Sequence, residues 1–491
     1  MHRLSNASVA ALPHAVARPR YDRHAVTPGI IHLGIGAFHR AHQAVYLDDC
    51  LAAGELTWGI RAASLRSADT RDKLSPQDGM YTVATRDSEN ETLRVVGSIS
   101  DVLVAREDPS VLLQALVDPR IRIVTLTVTE KAYGVDLGTQ SLRIDDIDVA
   151  HDIEVSDRPR SAIGFLVEAI AQRRMARIPP FTVLSCDNQP SNGRTVRLAL
   201  RLMAERQGRD LGSFIADELA CPSCMVDRIV PATTADDCAH VSRSLGLQDE
   251  WPVMAEPFSQ WVIEDRFSSG RPALESCGVQ FVDDVSRHER MKLRLLNGAH
   301  TSLAAIGLLV GKVTVADAMD DVDIRQFIRA YWVEAMGSLD LPPAEMTSYT
   351  DKLLLRFRNR ALRHRLDQIA TDGSQKVPQR LLQSLNQLGA LGKPRGTLIY
   401  AVAAWMLSCD GVSESGETFA VNDKVFASRF TGNRRHMPAQ VLTDTFLASG
   451  ETFGQEFTTD ATGIRAALAT AVEQIKTHGV IGAMQRRSAT H

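Results

Sequence analysis

Short apolar runs alternate with longer amphipathic segments through the first half of the chain. Four short runs predict strands: residues 30–33, 58–64, 121–128 and 181–185. Three longer segments between them have the spacing of helices: residues 40–53, 102–116 and 161–174. Strands that alternate with helices predict parallel βαβ units, in which helices cover both faces of the sheet.

The pattern changes near residue 285, beyond which β-branched runs become scarce. Long helical stretches dominate there: residues 289–310, 324–336, 384–391, 397–407 and 462–477. The predicted fold class is therefore α/β, a doubly wound parallel sheet domain followed by a mainly α-helical C-terminal domain. The predicted domains are an N-terminal arm (1–27), the α/β domain (28–285) and the helical domain (286–491).

Composition narrows the function classes. The 491 residues are 44% apolar and carry a net charge of −4, whereas a nucleic-acid binder usually has a basic excess. The longest apolar runs, 121–128 and 398–407, are shorter than the ~20 residues of a membrane span. Pro13 and His14 interrupt the N-terminal apolar stretch, which excludes a signal peptide. Seven scattered cysteines suit a reducing compartment. We expect a soluble cytoplasmic enzyme, as a monomer or a small homo-oligomer.

A glycine turn follows the first predicted strand. Gly34 permits a tight turn, and Gly36 lets the backbone approach a pyrophosphate at the start of the next helix. His39 occupies the third glycine position of the usual fingerprint, and Arg40 adds a cation beside the turn. The alternative is an ordinary strand-to-helix turn. The turn predicts a Rossmann-type domain that binds a dinucleotide with these residues: Gly34, Gly36, Ala37, Phe38, His39 and Arg40.

An acidic residue after the second strand would hold the adenosine ribose. Asp69 is the nearest candidate, although it lies 33 residues after Gly36 rather than the usual ~20. Arg66 could instead meet the 2′-phosphate of NADP. Asp69 favours NAD over NADP as the cofactor.

A lysine, an asparagine and a histidine lie close together near residue 295. On an α-helix Asn297 would fall about 140° from Lys292 and His300 about 80° from it, so that all three share one arc. A buried lysine with a lowered pKa can exchange a proton with an alcohol, and an asparagine can donate to a developing oxyanion. The alternative is a solvated helix face on which Lys292 and Arg294 point outward.

A polar loop follows the strand at 181–185. It contains Asp187 and Asn188, and ligands of open α/β sheets bind at the carboxyl ends of the strands. The alternative is a turn rich in Asn, Pro and Gly.

Together these segments resemble the polyol-specific long-chain dehydrogenases. The matching segments run in the family's order: residues 34–46, 125–134, 181–193, 225–231, 261–272, 291–300 and 372–380. The resemblance implies a nicotinamide cofactor over the glycine turn, no metal, and a site in the cleft between the two domains.

The resemblance also implies the role of each site residue. Lys292 would be the general acid/base, Asn188 and Asn297 would form the oxyanion hole, and His300 would orient the substrate oxygen. Asp227 and Lys376 would contact substrate hydroxyls. Glu130 and Glu289 would carry the proton between Lys292 and bulk water.

One departure bears on the substrate. Mannitol dehydrogenases have an arginine eight residues before the lysine of the DGS-x-K motif, where this chain has Gln368. Arg363 and Arg365 stand just upstream, as in the mannonate oxidoreductase branch, and a guanidinium can hold a carboxylate in two parallel bonds. We therefore expect D-fructuronate and D-mannonate as the substrate pair. The alternatives are a neutral ketose or polyol as substrate, and surface positions for the two arginines.

Two other interpretations are set aside. Cys221 and Cys224 form a lone CxxC without the second pair or the histidines that a zinc site needs. A non-catalytic binding protein with a vestigial dinucleotide fold is opposed by the joint presence of Lys292, Asn297, His300 and Asn188. The sequence thus predicts an NAD-dependent enzyme acting on a small sugar acid or polyol.

Overall fold

The computed structural model describes residues 1–423, 425, 436–458 and 463–488. The chain divides into two compact units, Met1–Ser286 and Arg287–His491. Across the described residues, no helix has the length and apolar character needed to cross a membrane.

The first unit is built on a five-stranded parallel sheet. Its strands, together with those of three smaller sheets, are β1 Pro28–Leu33, β2 Gly59–Ser64, β3 Tyr81–Arg86, β4 Glu91–Val96, β5 Ile99–Val104, β6 Ile123–Leu126, β7 Val135–Asp136, β8 Ser141–Leu142, β9 Thr182–Ser185, β10 Cys224–Asp227, β11 Val253–Ala255, β12 Gln260–Glu264 and β13 Gln280–Val282. The main sheet has the order β5-β2-β1-β6-β9, with β1 at its centre. This is the doubly wound order of a Rossmann-type domain, so the predicted fold class is confirmed.

Helices connect these strands. The α-helices of the first unit are Ala37–Ala41, Gln43–Ala52, Asp69–Leu74, Pro109–Val117, Ile147–Glu154, Ala162–Met175, Asn192–Arg206, Gly212–Asp217 and Ala235–Leu245. Short 3-10 turns lie at Val9–Ala11, Arg23–Ala25, Ser75–Gln77, Glu130–Tyr133 and Leu274–Cys277. Alternate residues of a strand point to opposite faces, which explains why Ile31 and Leu33 join one buried cluster and Ile30 joins another.

The N-terminal arm packs on the first unit. Leu4, Leu12 and Val16 are buried in one cluster with Met80 and Met254. The arm therefore contributes to the core of this unit rather than only leading into β1.

One helix prediction in this unit is wrong at its start. The segment predicted as a helix over 102–116 contains the end of β5, which pairs in parallel with β2, and the helix begins only at Pro109. The Asp108 side chain caps that helix by accepting a hydrogen bond from the amide of Ser110. Periodicity alone does not separate a short apolar strand from a helical segment of the same composition.

The second unit is helical in its described part. Its α-helices are Ser286–Met291, which begins at the boundary, Gly298–Leu309, Val315–Asp320, Val322–Met336, Pro343–Phe357, Leu366–Ala370, Gly373–Val377, Gln383–Ala390, Gly396–Ser408, Ala439–Leu447, Gly450–Thr458 and Arg465–Ser488. A 3-10 turn lies at Arg360–Leu362, and two π-helices lie at Lys292–Asn297 and Pro378–Leu382.

The last helix differs from its prediction. The segment predicted as a helix over 462–477 starts at a residue outside the described ones, and the helix continues from Arg465 to Ser488. Gly479 has non-helical backbone angles (φ 71°, ψ 167°) and divides this helix into two parts.

Candidate active site

The glycine turn lies at the carboxyl end of the central strand β1. Gly34 has a φ of +93°, and a Cβ there would lie 2.3 Å from the carbonyl oxygen of Thr127. Only glycine fits this position, because both the backbone angle and the neighbouring loop exclude a side chain. Gly36 precedes the helix Ala37–Ala41, and a Cβ on it would meet nothing closer than the Gly34 oxygen at 3.9 Å. The backbone of the turn is therefore open where a pyrophosphate would approach.

A buried histidine pair supports the turn. The rings of His32 and His39 stack with centroids 3.3 Å apart and an interplanar angle of 10°. The His32 Nδ1 bonds the hydroxyl of Thr125, and its Nε2 bonds that of Thr127. Burial lowers the pKa of His32 to about 3 and that of His39 well below its usual range, so both rings are neutral at pH 7. His39 thus packs behind the turn.

Two other candidate cofactor residues, Arg40 and Asp69, differ in how exposed their side chains are. Arg40 is buried, and its guanidinium bonds the carbonyl of Trp251 and lies near the rings of Tyr81 and Trp251. It therefore ties the helix to the core, and its contribution to cofactor binding stays a prediction. Asp69 is exposed and begins the helix Asp69–Leu74, five residues after the end of β2. Its contact with a ribose stays a prediction.

Asp187 joins the loop after β9 to the loop after β6. Its carboxylate accepts hydrogen bonds from the amides of Val128 and Thr129 and from the hydroxyl of Tyr133, at 3.2, 2.9 and 2.6 Å. Burial is the largest influence on this carboxyl and raises its pKa, while these hydrogen bonds oppose the rise. Asn188 follows Asp187 directly and is exposed, so the network fixes the backbone from which Asn188 projects.

An amide side chain connects the same loop to β10. Asn192 donates to the carbonyls of Asp187 and Cys224 at 3.1 and 2.8 Å, and it accepts from the amide of Cys224 at 3.0 Å. Asp227, a predicted substrate residue, ends β10 and is 3% exposed. The loop with Asn188 and the strand with Asp227 are thereby held in one hydrogen-bonded frame.

In the second unit, Lys292 and Asn297 are the first and last residues of a π-helix. The expected 140° between them on an α-helix is therefore wrong. A π-helix closes hydrogen bonds between residues five apart, which places residue i+5 one turn above residue i. Lys292 and Asn297 are five residues apart and thus lie on the same side of the segment. Both side chains are half-buried.

Neighbouring helices hold this π-helix. The Tyr331 hydroxyl donates to the carbonyl of Arg294 at 2.7 Å, and the Trp332 indole donates to that of Leu295 at 2.9 Å. These bonds occupy carbonyls in the irregular segment. A Cβ on Gly298 would lie 2.0 Å from the Tyr331 hydroxyl, so glycine is required for this close approach.

His300 lies one turn beyond Asn297 and is 7% exposed. Its ring stacks on Phe357 with centroids 4.5 Å apart and meets the ring of His364 edge-on at 5.0 Å. Burial, with the charges of His364, Arg356 and Arg380, lowers its pKa well below the usual range. His300 is therefore neutral at pH 7, the form that can both donate and accept a hydrogen bond.

Lys376 lies on the helix Gly373–Val377, two residues before the second π-helix. Its ammonium donates to the carbonyls of Ile369 and Thr371, and burial lowers its pKa. Lys376 lines a small pocket whose wall also includes Thr301, Trp405 and Asp423. The lysine thus borders a largely apolar cavity in the second unit while its head group holds the preceding loop.

The arginines expected to hold a carboxylate are at the surface. Arg363 is exposed and has a left-handed backbone (φ 43°). Arg365 is exposed and forms an ion pair with Asp367 at 2.6 Å. Gln368 is exposed as well. Nothing in this arrangement brings the two guanidiniums to His300, and their contact with substrate stays a prediction.

The two glutamates of the predicted proton path differ in how far they are described. Glu289 is half-buried on the helix Ser286–Met291, one turn before Lys292. The side chain of Glu130 lies outside the described residues, although its backbone begins a 3-10 turn. Within the described part of the chain, no cluster of three or more potential metal ligands occurs.

The sequence did not indicate a role for three residues at these sites. Asp187 was visible only as part of a polar loop, and Tyr133 and Arg380 carried no signal of their own. Their roles depend on contacts between distant segments, as in the bond from Arg380 to the Thr301 hydroxyl at 3.2 Å.

Comparison with known proteins identifies relatives that cover most of this chain. The mannitol dehydrogenase Rossmann domain matches residues 28–276, and the mannitol dehydrogenase C-terminal domain matches residues 284–476. D-mannonate oxidoreductase of Escherichia coli is 40% identical over 84% of this chain and 86% of its own. Mannitol 2-dehydrogenase of Cereibacter sphaeroides is 38% identical over 97% of this chain and 99% of its own. The structure of Pseudomonas fluorescens mannitol 2-dehydrogenase with NAD and D-mannitol is 35% identical, covers both chains completely and has a TM-score of 0.84.

The fold and these relatives define a dehydrogenase with a Rossmann-type first domain. The chain belongs to the mannitol dehydrogenase family.

Proposed function

We propose that this protein is an NAD-dependent reductase that interconverts a keto-sugar acid and its alcohol, D-fructuronate and D-mannonate. The observation that carries the chemistry is the π-helix that places Lys292 and Asn297 on one side, one turn before the buried, neutral His300. A proton donor, an amide donor and a neutral imidazole can protonate, stabilise and orient the oxygen of a ketone that receives a hydride.

The first domain fits a dinucleotide. The open backbone at Gly36 and the helix after it suit a pyrophosphate, and we assign further cofactor contacts to Gly34, Ala37, Phe38 and Asp69. His39 and Arg40 would act from behind the turn, by packing. The similar mannitol 2-dehydrogenase structure contains NAD, which supports NAD as the cofactor here. When bound, the reduced nicotinamide supplies a hydride to the carbonyl carbon of the substrate.

The protein's own residues handle the oxygen and its proton. Lys292 gives its proton to the alkoxide oxygen as the C–H bond forms, and takes it back when the alcohol is oxidised. Asn188 and Asn297 donate hydrogen bonds to that oxygen while it is negative. His300 orients the same oxygen. Asp227 and Lys376 would contact the substrate hydroxyls. Glu289 and Glu130 would carry the proton between Lys292 and water.

The substrate assignment has one competitor. D-mannonate oxidoreductase at 40% identity and Gln368 in place of the mannitol dehydrogenase arginine support a sugar acid. A mannitol 2-dehydrogenase acting on fructose is the second candidate, because a relative of that name matches 97% of this chain at 38% identity. NADH oxidation measured with fructuronate and with fructose separates the two. We expect a much higher kcat/KM for fructuronate, and an equal or higher value for fructose would contradict the proposal.

The lysine is tested by Lys292→Ala. Loss of a general acid usually lowers the rate roughly 10²- to 10⁴-fold, and we expect that loss in kcat with little change in NADH affinity. Lys352→Ala, which removes an exposed lysine of the helix Pro343–Phe357, is the matched control. A Lys292→Ala enzyme with more than about half of the wild-type kcat would contradict the assignment of Lys292 as the general acid/base.

A further inference from the structure

His300 and its neighbour His364 in the second unit each have one buried ring nitrogen without a hydrogen-bond partner among the described residues. The two atoms are His300 Nε2 and His364 Nδ1. Their rings lie edge to face with centroids 5.0 Å apart. Buried polar atoms in native proteins are nearly always paired, so two neighbouring exceptions indicate a place where a ligand supplies the missing partner.

Positive charge collects at the same place. Arg380 donates to the hydroxyl of Thr301, the residue after His300. Arg356 is 7% exposed and immediately precedes Phe357, whose ring stacks on His300. Both guanidiniums are close enough to disfavour a proton on His300.

Arg380 is a largely buried cation. Among the described residues its guanidinium has no carboxylate partner, and desolvation lowers its pKa to about 10. Lys376, four residues earlier, differs because Asp372 and Asp423 favour its charged form. A partly buried cation without an anion is costly, and an anionic ligand would remove that cost.

We propose that the carboxylate of the substrate binds beside His300 and His364, where Arg380 holds it and Arg356 adds a second positive charge. This inference rests on the proposed function and names the residues that select a sugar acid. The substrate carboxylate is thereby assigned to Arg380 and Arg356, which lie near His300, instead of the exposed Arg363 and Arg365. A charge gains more from a partner where water is scarce than at the surface, where Arg365 already pairs with Asp367.

The experiment compares two substrates that differ only in the group concerned. Fructuronate has a carboxylate where fructose has a hydroxymethyl group, and both offer a ketone. Arg380→Met keeps much of the side-chain length and removes the charge. We expect its kcat/KM for fructuronate to fall about 10- to 100-fold while that for fructose changes less than about threefold. Arg356→Met should act in the same direction, by several-fold.

Arg360→Met is the matched control. Arg360 is exposed, pairs with Asp320 and lies in the same basic segment, so its loss should leave the ratio of the two kcat/KM values unchanged. A parallel fall for both substrates in Arg380→Met would show a structural role and overturn the inference. A selective loss of fructuronate reduction in Arg365→Ala, with Arg380→Met unaffected, would overturn it as well.

Two further measurements separate the possible failures. If Arg380→Met does not fold, Arg380→Ala assayed with added guanidinium ion takes its place, and recovery of fructuronate reduction alone is the expected result. Recovery with neither substrate, or with both equally, would contradict the inference.

A wild-type enzyme that does not reduce fructuronate would refute the proposed function itself. A wild-type enzyme that reduces it, with Arg380 variants unaffected, would refute only this inference.

Discussion

Asp187 accepts a hydrogen bond from the backbone amide of Thr129 at 2.9 Å, and Thr129 has a φ of +74°. A β-branched residue rarely adopts such an angle, and positions of this kind cost about 1–3 kcal/mol each. Asp187 also accepts from the Val128 amide and the Tyr133 hydroxyl, which holds the strained loop in place. The loop that carries Glu130 is thus fixed by the residue that precedes Asn188.

Removal of this carboxylate should reduce both catalysis and stability. In Asp187→Ala the amides of Val128 and Thr129 lose their acceptor, and the strained loop can relax. We expect kcat to fall at least about tenfold and the free energy of unfolding to fall by about 1–3 kcal/mol. Steady-state kinetics and urea unfolding measure the two effects. The control is Asp157→Ala, which removes an exposed acid of the same unit. Unchanged kcat would show that the network serves folding only.

The sequence predicted the central strands of the first unit well. The run at 121–128 became β6 and the run at 30–33 became most of β1, because buried parallel strands are short and apolar throughout. The helix predicted from Val102 was wrong at its start, because an apolar residue at that position fits a strand as well as a helix. The pairing of β5 with β2, a contact between distant segments, decides the outcome there.

The site was predicted less completely than the fold. Lys292, Asn297 and His300 were predicted as site residues from their residue types and spacing, but the expected angle between Lys292 and Asn297 was wrong because no local pattern marks a π-helix. Tyr331, Trp332 and the close approach at Gly298 hold that irregular segment, and all three depend on packing between helices. The sequence likewise pointed to exposed arginines, since burial of Arg356 and Arg380 is a property of the folded chain.

The amide donors should affect turnover more than binding. Asn297→Ala and Asn188→Ala each remove one proposed donor to the developing oxyanion, and loss of one such donor elsewhere costs about 10²- to 10³-fold in kcat. Steady-state kinetics with the preferred ketone tests this. Asn6→Ala, at an exposed position of the N-terminal arm, is a control for general effects of the substitution. If only the KM changes, the residue concerned contacts the ground state instead.

Asp69 should determine the choice of cofactor. Its exposed carboxylate would accept hydrogen bonds from the ribose hydroxyls and repel a 2′-phosphate, so NADH should be preferred to NADPH. Asp69→Ala should narrow the preference because the repulsion disappears while Arg66 remains. The ratio of kcat/KM for the two cofactors is the measurement. Asp72→Ala, on the same helix, should leave that ratio unchanged. A wild-type enzyme that prefers NADPH would refute the assignment.

The buried histidine pair should make the protein less stable in acid. The pKa of His32 is about 3 in the folded protein, against about 6.5 in an unfolded chain, and that of His39 is also lowered. Between these values the unfolded chain binds protons that the folded protein does not. The free energy of unfolding is therefore highest above about pH 6.5. It falls as the pH decreases, by up to about 1.4 kcal/mol per pH unit for each histidine.

His32→Asn tests this directly, because asparagine does not titrate and can still bond the hydroxyl of Thr125. Urea unfolding followed by tryptophan fluorescence between pH 7.5 and 4.5, at about half-unit steps, gives the slope of stability against pH. The variant should be less stable at pH 7.5, since the stack on His39 is lost, yet its slope below about pH 6 should be shallower than that of the wild type. His24→Asn, at an exposed position of the same unit, should leave the slope unchanged. Parallel slopes for the wild type and His32→Asn would mean that His32 gains a proton without unfolding, which its full burial against the neutral ring of His39 argues against.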